Sequence, residues 1–105
     1  MRVILLAAFL VGLTAPALAE FKTGNDIYGK CLSSEGTGRL YCLAYITGSF
    51  DQLGGSEEYE CVDIEKVSAG QIRDVVIAYL RKTPESRHFS AASLVRNAIY
   101  YAFCK

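Results

Sequence analysis

The stretch SAGQIRDVVIAYLRKTP, residues 68–84, decides the fold class. Ser68 followed by Gln71 has the form of a capping box, in which the serine side chain accepts from the N3 amide and the glutamine reaches back. Behind it, Ile72, Val75, Val76, Tyr79 and Leu80 recur at i, i+3, i+4, i+7 and i+8, the period of one buried helix face. Pro84 ends the run, because the residue before a proline is pushed out of the helical region. Six residues on, Ser90 caps a second helix whose stripe is Ala91, Leu94, Val95, Ala98, Ile99 and Ala102. Its small alanines predict another helix packed close against that face.

Upstream the pattern is less regular. Thr23 to about Leu32 predicts a short helix with Thr23 as cap and Asp26 at N3. Arg39 to about Leu53 predicts a longer one carrying Leu40, Leu43, Ile46, Thr47 and Phe50 on one side. Ser33 to Gly38 is rich in Ser and Gly and reads as a turn. The stretch from Gly54 to Glu65 holds Glu57, Glu58, Glu60, Asp63 and Glu65 and reads as a solvated loop. No segment sustains the alternation of a strand. The expected fold is all-α, a small bundle of four to five helices stapled by disulfides.

The N-terminus sets the compartment. Arg2 supplies a positive start, Val3 to Leu13 is apolar apart from Gly12, and Ala17-Leu18-Ala19 offers a small-x-small cleavage site. This is the layout of a secretory signal peptide over 1–19. The apolar run is about eleven residues, too short for a bilayer core that takes about twenty. A mature domain over 20–105, in a periplasm, is the expectation. Its four cysteines, Cys31, Cys42, Cys61 and Cys104, form an even set without C-x-x-C spacing, which in a short exported chain implies disulfides. Of three connectivities, a helical hairpin favours Cys31–Cys42 and leaves Cys61–Cys104. On ring length alone the second is worth more, roughly 4 against 3 kcal/mol.

Composition narrows the function classes. Once Arg2 leaves with the leader, the chain's charges are nearly balanced, which argues against a nucleic-acid partner and against electrostatic membrane binding. With one histidine, His88, no phosphate loop, no H-E-x-x-H and no nucleophile elbow, neither an enzyme nor a metal or other cofactor site is expected. A binding protein remains. Its candidate contacts are Glu57, Glu58, Tyr59 and Glu60 in the acidic loop, and Arg87 and His88 in the Lys82–Phe89 connection, since binding residues sit on displayed loops. Tyr100 and Tyr101 offer a further face.

The succession Phe21-x-Thr23-Gly24-Asn25, Cys31, Cys42-x-x-Tyr45-Ile46-x-Gly48-x-x-Asp51 and Cys61 resembles the Rap/Tai family of immunity proteins. The likeness continues through Gly70-Gln71, Val75-Val76-x-x-Tyr79-Leu80, Pro84-Glu85-x-Arg87-His88, Leu94-Val95-x-x-Ala98 and Phe103-Cys104. The family usually ends in Phe-Pro-Cys, from which Phe103-Cys104-Lys105 departs. The resemblance implies a small, helical, disulfide-bearing periplasmic protein, commonly a homodimer, that neutralises a peptidoglycan amidase toxin delivered by type VI secretion. Most of the quoted residues have structural explanations, Gly48 as a close helix contact among them. A small HdeA-like periplasmic chaperone, also helical and disulfide-bonded, is the alternative; it would expose apolar surface on acidification.

Overall fold

The computed structural model describes residues 21–54, 57–63 and 65–104; the expected leader and its cleavage point lie outside them. Four α-helices form the bundle: α1, Gly24–Cys31; α2, Gly36–Leu53; α3, Ala69–Lys82; and α4, Ala91–Phe103. Two short 3-10 turns, Glu57–Tyr59 and Pro84–Ser86, lie in the connections before α3 and α4. Each helix packs on its neighbour in sequence, and α2 also packs on α4. Ile27, Ile46, Ile72, Val76, Leu80, Val95 and Ile99 are the fully buried aliphatic side chains at the centre.

Local signals account for most helix starts. In α1 the Thr23 hydroxyl accepts from the Asp26 amide at 3.2 Å, and the Asp26 carboxylate accepts from the Thr23 amide at 2.9 Å. In α3 the Gln71 amide donates to the Ser68 hydroxyl at 3.1 Å and the Gln71 side chain accepts from the Ser68 amide at 2.9 Å. Ser90 caps α4 through the Ser93 amide. The predicted stripes of α3 and α4 are the buried ones, apart from the half-buried Val75 and Tyr79 and the exposed Ala102.

The α1 box has a consequence for pH. The hydrogen bond from the Thr23 amide holds the Asp26 carboxyl below the usual carboxylate range, and the Thr23 hydroxyl, Lys22 and Lys30 add to this. A carboxylate with a depressed folded pKa stabilises the fold above its unfolded pKa, and this contribution disappears as pH falls through the folded value. Wild type is therefore expected to lose more stability on acidification than Asp26→Asn, measured by urea unfolding on both sides of the carboxylate range. Equal losses would remove the argument.

Helix α2 differs from its reading in sequence. It starts at Gly36 rather than Arg39, and Arg39 folds back so that its guanidinium donates to the Ser33 and Ser34 carbonyls at 3.0 and 2.7 Å. Its buried positions are Gly38, Cys42 and Ile46, while Leu40 is 65% exposed. The helix is apolar nearly all round, so hydrophobicity alone does not fix its rotation. The Cys31–Cys42 bond does: it turns position 42 inward, and position 40, about 200° away at 100° per residue, turns outward. Gly48 likewise faces open space. The close helix contacts fall at two other glycines. A Cβ on Gly38 would lie 2.6 Å from the Ser33 Cβ, and one on Gly24 would meet the Leu94 side chain and lie 2.8 Å from the Arg87 carbonyl oxygen.

Both expected disulfides are present, Cys31–Cys42 and Cys61–Cys104. Their environments differ. Cys42 is fully buried and Cys31 nearly so, whereas Cys61 is exposed and Cys104 half-buried.

Candidate functional site

The described part of the acidic loop is anchored in the bundle. Its 3-10 turn, Glu57–Tyr59, closes with the Glu60 amide donating to the Glu57 carbonyl at 3.3 Å and the Val62 amide to the Tyr59 carbonyl at 3.0 Å. Tyr59 and Val62 point into the bundle, 8% and 6% exposed. The next residue in from Val62, Cys61, is bonded to the C-cap of α4. What faces water is therefore the carboxylate set Glu57, Glu58 and Glu60. Among the described residues none of these three carboxylates has an ion-pair partner; Asp63 pairs with Lys66 at 3.6 Å in an exposed contact worth little.

Tyr59, expected beside them as a contact residue, belongs to the core. Its ring meets Tyr100 edge-on at 6.2 Å, and burial pushes its phenol above the usual tyrosine value, with Glu58 adding to the rise. Tyr100 in turn meets Tyr101, which stacks on Tyr79 at 6.1 Å. This aromatic chain joins the acidic loop to α4 and α3. Tyr100 and Tyr101 keep 39% and 53% of their surface exposed.

The Lys82–Phe89 connection is a second, separate display. It precedes α4, whereas the acidic loop is bonded to the end of that helix. The thirteen residues of α4 put about 20 Å between the two. The backbone of the connection is tied down: the Ser86 amide donates to the Thr83 carbonyl, Phe89 to Ser86, Gly24 to Phe89 and Asn25 to Arg87. Arg87 works inside the fold. Its Nε donates to the Leu80 carbonyl at 2.6 Å and its Nη2 to that of Arg81 at 3.2 Å, and the guanidinium lies 4.2 Å over the Tyr28 ring. These bonds satisfy carbonyls at the end of α3 that the helix leaves open. His88 and Phe89 remain outside, their rings 4.2 Å apart. His88 has no hydrogen-bond partner among the described residues.

The described residues contain no group of three His, Cys, Asp or Glu side chains able to hold a metal, and all four cysteines are oxidised. No described helix is long and apolar enough to cross a membrane. The described residues form a stapled bundle with two polar displays at opposite ends of α4.

A sequence profile of the Rap1a immunity proteins matches residues 23–104, nearly the whole described chain. The chain belongs to that family. The Rap/Tai resemblance carried by its motifs is thus sound, and membership brings with it a toxin protein as partner. No curated protein matches the chain. The matched region begins at the Thr23 cap and ends at Cys104, so it takes in both disulfides and all four helices. In this Rap1a-family member the motif residues Gly24, Gln71, Pro84 and Arg87 have explanations within the fold.

Sequence reasoning missed one feature near the acidic loop. A cavity of about 270 Å³ lies between the end of α2 and the start of α3, lined by Phe50, Val67 and Ile72 with Asp51 at its edge. Phe50 and Ile72 were legible as apolar helix positions. That they line one cavity together was not.

Proposed function

We propose that the protein resides in the periplasm after loss of its leader and binds and occludes a peptidoglycan amidase toxin delivered by type VI secretion. Membership in the Rap1a immunity proteins carries the reading and favours it over the HdeA-like chaperone. The contact surface in this proposal is the acidic loop, through Glu57, Glu58 and Glu60. Three carboxylates without an ion-pair partner among the described residues, on a turn anchored by Tyr59, Val62 and a disulfide, are preorganised, so little ordering entropy opposes binding. They suit a basic rim around a toxin cleft and act mainly on the association rate. His88, at the other end of α4, is the second candidate contact. Homodimerisation, common in the Rap/Tai family, belongs to the same reading.

Co-expression with the toxin from the protein's own locus tests it. Cells exporting a periplasmic toxin are expected to survive only when this protein is exported with it. Equal survival without the protein overturns the immunity reading. Survival that persists after Glu57, Glu58 and Glu60 are all changed to serine overturns only the choice of loop.

A further inference from the structure

We infer that the cavity between α2 and α3 is an anchor site for a single apolar side chain flanked by cationic residues, presented by a segment of the toxin. The inference rests on the immunity reading for the identity of the partner, and on the structure for the chemistry of the occupant.

The cavity has an apolar floor and an acidic edge. Phe50 and Val67 are half-buried and Ile72 is 1% exposed, so the floor is held rigidly by residues that also serve the core. The Thr47 hydroxyl donates to the Leu43 carbonyl at 2.8 Å, which turns its polar atom toward its own helix. Size suits a single side chain. About 270 Å³ sits at the lower edge of the roughly 300–1,000 Å³ of small-molecule and cofactor sites. An apolar cavity of about 150 Å³ already takes a benzene ring, so one leucine or aromatic side chain fits with room to spare.

Charge decides what flanks that side chain. Asp51 is exposed at the edge and has no ion-pair partner among the described residues. Gly54, which caps α2 and also lines the cavity, starts the connection that carries Glu57 and Glu58. Asp51 is thus the carboxylate at the entrance, and a side chain entering the cavity passes it on the way in. An acidic neighbour on the ligand would be repelled there, and a neutral one would leave Asp51 unanswered. Buried apolar anchors surrounded by polar contacts are the usual centre of a protein interface. This cavity supplies the centre that an exposed acidic turn lacks.

The test uses a probe as well as the toxin. N-acetyl-Arg-Leu-Arg-amide is titrated into the isotopically labelled mature protein and followed by amide shifts, with N-acetyl-Glu-Leu-Glu-amide as comparison. The cationic peptide is expected to shift Thr47, Asp51, Gly54, Ala69 and Ile72 with a Kd on the order of 1 mM, and the acidic one to leave them in place. Ala69→Leu fills the cavity from an exposed position at the start of α3 and is expected to weaken the peptide at least about tenfold. Asp51→Asn is expected to remove the salt dependence. Ala44→Leu, exposed elsewhere on α2, is expected to change nothing. No localised shift, or equal shifts with both peptides, overturns the inference. If the peptide binds but Ala69→Leu still neutralises toxin as well as wild type, the cavity is not the toxin's anchor, while the immunity reading stands. If wild type itself gives no protection, the reading and the anchor's assignment to the toxin fall together.

Discussion

Cys42→Ser is expected to destabilise the protein more than Cys104→Ser, although Cys42 closes the shorter ring. The Cys31–Cys42 and Cys61–Cys104 rings span separations of 11 and 43 residues. Loop-closure entropy makes the short one worth roughly 3 kcal/mol and the long one about 4. That ranking, the one sequence predicts, holds only if the two sites are otherwise alike. They are not. Cys42 is 0% exposed within the core, so serine there places a hydroxyl among apolar side chains at a further cost of about 1–3 kcal/mol. Cys104 is half-buried beside the exposed Cys61, where a serine hydroxyl reaches water. The burial term thus exceeds the difference of about 1 kcal/mol between the rings. Against a whole-domain stability of about 5–15 kcal/mol, Cys42→Ser leaves a chain close to unfolding. Urea midpoints of the two variants decide it. A lower midpoint for Cys104→Ser would show that ring length governs. The double replacements with alanine, pair by pair, remove the buried hydroxyl from the comparison and leave the ring contribution together with the packing of the lost sulfurs.

The same contrast explains how much was readable in advance. Helices α3 and α4 were legible because a serine cap and an apolar stripe at the helical period coincide in each, with Pro84 as the stop of α3. The disulfides followed from the hairpin of α1 and α2, which pairs Cys31 with Cys42 and leaves Cys61 for Cys104. Helix α2 was legible as a helix but not in its rotation, because Leu40, Tyr41, Leu43, Tyr45, Ile46 and Phe50 surround it with apolar side chains. A non-local bond to Cys31 and the tight fit of Gly38 against Ser33 choose the buried face. In the acidic loop the carboxylates hid the two residues that hold it. Tyr59 and Val62 are apolar members of a charged run, and that exception was the available sign that one side of the turn is buried. The cavity beside it depends on how α2 and α3 are placed against each other, which side-chain periodicity does not carry.

Arg87 shows the limit from the other direction, and its replacement is the second large effect expected. In sequence, Pro84-Glu85-x-Arg87-His88 reads as a displayed polar connection, so Arg87 ranks naturally as a partner contact. In the structure its guanidinium bonds the Leu80 and Arg81 carbonyls, covers the Tyr28 ring of α1, and its own carbonyl accepts from Asn25. One side chain therefore joins the end of α3 to the start of α1, across the junction where Gly24 lets the backbones approach. Arg87→Ala removes charged hydrogen bonds worth about 1.5–3 kcal/mol and a cation–π contact of about 0.5–2 kcal/mol, so a loss of about 3 kcal/mol is expected. Arg87→Lys is expected to recover less than half of it, because a single ammonium cannot serve two carbonyls while stacking on a ring. Hydrogen exchange should then rise first at the amides of Gly24, Asn25 and Phe89, which these contacts hold in register. A contact residue without a structural role behaves differently: its alanine variant keeps the urea midpoint and loses only affinity for toxin. His88→Ala is expected to keep the midpoint, since its ring touches only Phe89 among the described contacts. An unchanged midpoint for Arg87→Ala would return the whole connection to the role its sequence suggests.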